Sequence, residues 1–337
     1  MNKRIFGYMP SGEPVEEYTL TRGDFTACII TYGGAVRRFV AFGTDIVCGF
    51  DSLEGYLADT SHQGSLVGRY ANRIDYGRFT LDGKTYQLAC NTSEGKVHLH
   101  GGNIGYSRKV WEVTDATDTR LCLRMTSPDG EEGYPGNVVV DVTYSLGERG
   151  LAIDYTAVTD APTPINLTNH SYFNLEGCRG GSILGTSLTI HAHAYSELNE
   201  RMIPVRQVPV EGTPYDFRLP HTVGSRVHEA AGETYDNNFI LTPCPPEEVD
   251  GFQLSPAACA VGEAIGMTVY TNQPCMQLYI GYFLTEDNPF RGGVAQAPHT
   301  TLCFETQTEP NGPARGEAIL RPGEVYRHTT LYAPELL

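Results

Sequence analysis

No apolar run in this sequence is long enough to cross a bilayer as a helix, and basic residues are scarce, 24 against 40 acidic ones, for a formal charge of -16. The first absence argues against a transmembrane helix. The second sets a field that repels phosphate backbones and anionic lipid, so neither nucleic acid nor a membrane is an expected partner. Met1 to Tyr8 carries two basic residues with no apolar stretch of signal-peptide length behind them, and a soluble cytoplasmic protein is expected. Cys-x-x-Cys pairs are missing too. Nine cysteines stand singly at positions 28, 48, 90, 122, 178, 244, 259, 275 and 303, an odd number that fits free thiols in a reducing compartment better than a disulfide framework.

Sustained helical spacing is equally scarce: only Asp51–Leu57 and His228–Thr234 read as short helices. Strand signals recur instead, at Thr26–Thr31, Arg78–Leu81, Thr85–Leu88, Arg120–Thr126, Val138–Ser145, Leu151–Val158, Met267–Thr271, Met276–Leu284 and Thr300–Thr306. Turn chemistry such as Asp82-Gly83, Pro128-Asp129-Gly130 and Pro322-Gly323 separates them. With 40% hydrophobic residues to fill a core, 37 glycines and 21 prolines, the pattern predicts an all-β fold, a large antiparallel β-sandwich with few short helices. Neither a linker nor a fixed-period repeat breaks it, so one domain spanning 1–337 is expected.

Some of these strands carry more polarity than a sheet face needs. In Asn166–Leu175, counting by twos puts Asn166, Thr168, His170, Tyr172 and Asn174 on one face, a surface able to grip something rich in hydroxyls. In Met276–Tyr282, Gln277 opposes Met276, Leu278 and Ile280. In Thr301–Gln307, Leu302 and Phe304 anchor one side while Glu305 and Gln307 project from the other, and a carboxylate there needs a partner or a job. Gly68-Arg69-Tyr70-Ala71-Asn72-Arg73-Ile74 and Lys96–Gly102, with His98 and His100, combine donors with small residues that let a ligand approach the backbone.

Taken in order, these segments resemble the aldose 1-epimerase family, also called galactose mutarotases. The resemblance runs nearly end to end. It takes in Thr31–Ala35, Gly49–Leu57, Gly68–Ile74, Leu99–Gly102, Asn166–Leu175, Gly212–Arg218, Tyr235–Phe239 and the strands holding Gln277 and Glu305. It implies a single β-sandwich of the galactose mutarotase type with a groove for a monosaccharide. Glu305 matches the family's general base, His170 the acid that protonates the ring oxygen, and His100 a second histidine that holds and polarises the sugar beside that oxygen. Asn72, Arg73, Asp236 and Gln277 match positions that hydrogen-bond sugar hydroxyls. The chain departs from the family pattern at Asn237, Tyr282 and Thr308–Asn311, beside the site rather than on it, where sugar preference is set.

Chemistry supports the same pair. Opening a hemiacetal removes a proton from the anomeric oxygen and delivers one to the ring oxygen, so an acid and a base must flank one bond. Neither a cofactor nor a metal is required, and none is expected. His191 and His193 share a strand face but lack further ligands at recognisable spacing. Gly101–Gly105 lacks the lysine and helix of a phosphate loop. Two other readings stay open: an epimerase for a phosphorylated sugar or an oligosaccharide, the phosphorylated case predicting clustered arginines, and a sugar-binding protein without catalysis. A monomer or homodimer fits equally.

Overall fold

A computed structural model describes residues 2–337. Its largest sheet is antiparallel and runs in the order Glu112–Ala116, Arg120–Ser127, Val138–Leu146, Leu151–Thr159, Tyr326–Leu336, Ile265–Thr271, Phe252–Val261, Ser187–Ile190 and His221–Thr222, with Glu247–Val249 paired to Phe252–Val261. Period-two burial explains it: Val138, Val140, Val142, Tyr144 and Leu146 are buried while the residues between them are partly exposed. A second sheet, from Asn2–Tyr8 to Thr44–Asp45, packs its Leu20, Ala27, Ile29 and Phe39 into the same hydrophobic cluster.

The third sheet carries the site. Its strands are β1 (Ala192–Leu198), β2 (Pro204–Pro209), β3 (Asp236–Leu241), β4 (Cys275–Tyr279) and β5 (Cys303–Gln307), in the order β2-β1-β3-β4-β5. Every residue of β4 and β5 is buried. Met276, Leu278 and Phe304 enter the main core, which fixes the opposite face and leaves Gln277 directly across from Glu305.

Among the described residues α-helix is confined to one turn and a half at Leu53–Ala58, and the predicted helix at His228–Thr234 is instead two 3₁₀ turns, Val227–Glu229 and Ala231–Glu233. Three other expectations need correcting. The strand expected over Met276–Leu284 ends at Tyr279, because Gly281 turns the chain at φ +65, where a Cβ would meet Thr301 Oγ1 at 2.6 Å. Asn166–Leu175 is not one alternating strand. Thr168–Asn169 pairs with Leu66–Val67 and Tyr172–Phe173 with Val47–Cys48, with His170 and Ser171 between. The thiols are not all free either: a disulfide joins Cys48 to Cys178, while the other seven cysteines remain free. The pairing of Tyr172 with Cys48 brings the following loop, and Cys178 with it, back beside that strand.

Candidate active site

All seven residues singled out in the sequence line one cavity of about 500 Å³: Asn72, Arg73, His100, His170, Asp236, Gln277 and Glu305. Glu305 is 2% exposed and lines the cavity. Its Oε1 lies 3.5 Å from His170 Nε2, and its Oε2 has no hydrogen-bond partner. His170 Nδ1 is also buried and unpartnered. The His170 ring is held by stacking on Tyr172 at 4.9 Å and by edge contacts with His100 at 5.4 Å and Tyr279 at 6.2 Å. A buried carboxyl with an orphan oxygen is costly unless a ligand completes it.

Electrostatics push both groups toward neutrality. Burial, then the Asp236 carboxylate, raises the Glu305 pKa well above its ordinary value against the opposing pull of Arg73. Burial lowers His170 to about 3, with the neighbouring His62 adding to the effect. Burial thus favours the neutral form of each partner, the protonated carboxyl and the unprotonated imidazole.

The residues expected to hold hydroxyls form a connected rim. Gln277 Nε2 donates to Asp236 Oδ1 at 2.6 Å, and Gln277 Oε1 accepts from Asn72 Nδ2 at 3.1 Å. Asn72 Oδ1 accepts the Arg73 backbone N–H at 2.9 Å. Asn72 and His100 clasp each other, Asn72 N–H donating to His100 Nδ1 at 3.2 Å and His100 N–H to the Asn72 carbonyl at 3.1 Å. Asn72 (φ +64) and His100 (φ +52) both sit in the left-handed backbone region, a strain of about 1–3 kcal/mol each that side chains at functional sites commonly sustain.

That clasp decides what His100 can do. Because Nδ1 accepts a hydrogen bond, the proton resides on Nε2, and burial keeps the ring neutral by lowering its pKa well below the usual value. His100 is thus a fixed N–H donor. Donor atoms of His100, His170 and Glu305 all lie within 4.8 Å of one another, a spacing on which a cation could converge. The donor chemistry does not fit one, since His100 offers the cavity a proton and not a lone pair. His191 and His193 are exposed, and among the described residues no cluster of potential ligands includes them.

Of the polar face predicted over Asn166–Asn174, only His170 and Tyr172 reach the cavity. Asn166 bonds the Ala71 carbonyl and the Thr308 N–H, and Asn174 bonds the Gly181 and Thr300 carbonyls. His98 is structural, with Nδ1 on the Ala89 carbonyl and Nε2 on the Tyr134 hydroxyl, both at 2.6 Å. Thr60, Ser61, His62, Thr92, Ser93 and Met202 also line the cavity without having been singled out in the sequence, and His62 alone among them carries an ionisable side chain. His62 stands edge-on to His100 at 4.9 Å in an irregular loop, where no strand alternation singles it out.

A β-sandwich that brings a buried carboxyl and a buried imidazole together in a cavity lined by amides, an arginine and a second carboxylate is an architecture suited to a carbohydrate isomerase. The aldose 1-epimerase family model matches residues 16–333. Galactose mutarotase from Mus musculus is 39% identical over 342 residues, covering 98% of each chain, and aldose 1-epimerase from Escherichia coli is 33% identical over 340 residues, covering 96% of each. The solved galactose 1-epimerase of Lactobacillus acidophilus superposes with a TM-score of 0.87 at 27% identity, covering 99% of this chain and 98% of that one. The chain belongs to the aldose 1-epimerase family.

Proposed function

We propose that this protein interconverts the α and β anomers of a free aldose such as galactose or glucose, as one domain spanning residues 1–337. The contact between Glu305 and His170, with an unpartnered atom on each, carries the reading. With the proton on His170, ionised Glu305 takes the anomeric hydroxyl proton while His170 gives its own to the ring oxygen, and the bond between ring oxygen and anomeric carbon breaks. The products are an open aldehyde, a neutral carboxyl and a neutral imidazole. That is the protonation state burial favours in the empty site, so the two forms of the pair are the two ends of the reaction. Rotation of the aldehyde followed by the reverse transfers closes the other anomer.

In this reading His100 Nε2–H donates to an oxygen beside the reacting bond, and Asn72, Arg73, Asp236 and Gln277 hold the remaining hydroxyls. Fixing these groups supplies orientation before chemistry begins. A phosphorylated substrate is disfavoured, because Arg73 is the lone arginine or lysine lining the cavity while Asp236 and Glu305 face into it. A purely sugar-binding role leaves the acid–base pair without purpose. No helix among the described residues is long and apolar enough to cross a membrane. Seven free thiols favour a reducing, cytoplasmic setting, with the Cys48–Cys178 disulfide as the one feature against it.

Polarimetry on freshly dissolved α-galactose, α-glucose and α-xylose tests the proposal. Unmodified protein should speed equilibration, and Glu305→Gln should lose about 10² or more of that acceleration. Full activity in the variant would remove Glu305 as the base.

A further inference from the structure

His62 is the cavity's third imidazole and has no part in the proton transfers just described. Considerable structure goes into placing it. Asp59 Oδ1 accepts from both the Ser61 N–H and its hydroxyl, at 2.9 and 2.6 Å, while Asp59 Oδ2 accepts the Gln63 N–H at 2.8 Å. The Tyr172 hydroxyl donates to the Ser61 carbonyl at 2.8 Å, and the Ser65 N–H to the His62 carbonyl at 3.0 Å. Between these ties His62 itself adopts φ +59. A loop clamped on both sides of a strained residue is built to aim one side chain.

The aim is into the cavity, which His62 lines. Nδ1 is 2.9 Å from Ser107 Oγ, and among the described residues no other hydrogen bond reaches the ring. Nε2 is therefore left for a ligand. The ring packs 4.9 Å from His100 and 6.2 Å from His170, but it lies outside the cluster in which His100, His170 and Glu305 approach one another within 4.8 Å. His62 thus adjoins the two histidines rather than the carboxylate.

That position corresponds to one part of a sugar. With the anomeric hydroxyl at Glu305 and the ring oxygen at His170, the ring oxygen has only one other neighbour, carbon 5. Its substituent is a hydroxymethyl group in a hexose and a hydrogen in a pentose. We propose, on the strength of the mutarotase reading, that His62 Nε2 hydrogen-bonds the 6-hydroxyl of a hexose and sets a preference for hexoses over sugars lacking that group. A neutral imidazole suits this task, since burial lowers its pKa to about 4 against the pull of Asp59. Ser107 can donate to or accept from Nδ1, so Nε2 can meet the hydroxyl as acceptor or donor.

The test compares D-galactose with 6-deoxy-D-galactose, which differ by that single oxygen, using polarimetric kcat/KM values. Unmodified protein should prefer galactose about fivefold, the scale of one hydrogen bond between uncharged groups. In His62→Phe the ratio should fall to about one whatever loss both sugars share, and the lost preference should appear mainly in KM for galactose. His62→Gln, which keeps a donor and an acceptor, should restore part of it. A ratio unchanged in His62→Phe, including an equal loss for both sugars, overturns the assignment and leaves the mutarotase reading standing. Acceleration of neither sugar by unmodified protein overturns that reading and this one together.

Discussion

Glu305 and His170 differ from free side chains in a way that sets how the rate must depend on pH. A solvated histidine titrates near 6.5 and would place an activity limb there. Here burial lowers His170 to about 3 and raises Glu305 well above 4.5. In the proposed mechanism the pair works with one proton between its members, so activity should be lost when a second proton enters at low pH or when the only proton leaves at high pH. We predict a kcat/KM plateau that stays level through pH 6.5 on its acid side, with the alkaline limb belonging to Glu305. A polarimetric profile over folded protein checks this, and a limb centred near 6.5 would mean that an ordinary histidine governs the rate. Replacing His170 with Asn should cost about 10² or more while leaving the sugar bound.

The elements around the pair leave little room for adjustment, most visibly where the segment carrying His100 turns. Gly101 has φ +88, and a Cβ there would sit 1.8 Å from the Gly68 carbonyl oxygen, which also accepts the Tyr106 N–H. Gly101→Ala must push two backbones apart and displace the His100–Asn72 clasp, costing about 3 kcal/mol or more. Gly181→Ala, with nothing within 4 Å and an ordinary φ, is the control. Urea titrations of both should show a lower midpoint for the first alone, and matching midpoints would mean that the loop yields.

Element by element, what could be read in advance depended on how each strand is buried. Val138–Leu146 alternates because one face meets the core and the other stays partly exposed. The same rule correctly separated Gln277 and Glu305 from Met276 and Phe304, since only the latter pair enters the core. It failed over Asn166–Leu175, where both faces are covered and amides serve backbone groups of neighbouring loops. His62 follows no period at all, and the Cys48–Cys178 bond joins positions 130 residues apart. Tertiary contacts alone could reveal those two.

At the scale of the whole molecule, the main hydrophobic cluster takes residues from each of the three larger sheets, from Tyr18 to Tyr332, so the site's geometry depends on global folding. Within that fold, burial lowers the pKa of His62 and His98 to about 4 and of His170 and His328 to about 3. Each binds a proton near pH 6.5 when the chain is unfolded but resists it when folded. The unfolded state therefore holds more protons below pH 6.5, and stability must fall as pH drops from there toward 4. Two terms work the other way: the chain approaches its isoelectric point near 5.0, and the raised Glu305 carboxyl keeps a proton when folded that it sheds above 4.5 when unfolded. A histidine that takes its proton near pH 6.5 when unfolded but not above about 4 when folded gives up about 3 kcal/mol over this range, and several such groups outweigh those two terms. His328 isolates the effect, because it lies outside the cavity, stacked on Tyr155 at 4.4 Å and bonded to Thr306 and Thr330 at 3.2 Å. Unfolding free energies from urea titrations at pH 6.5 and 4 should show a marked loss in the unmodified protein, and His328→Gln should shrink that loss by about 3 kcal/mol. A variant that loses as much stability as the parent would show that acid unfolding begins somewhere other than at these rings.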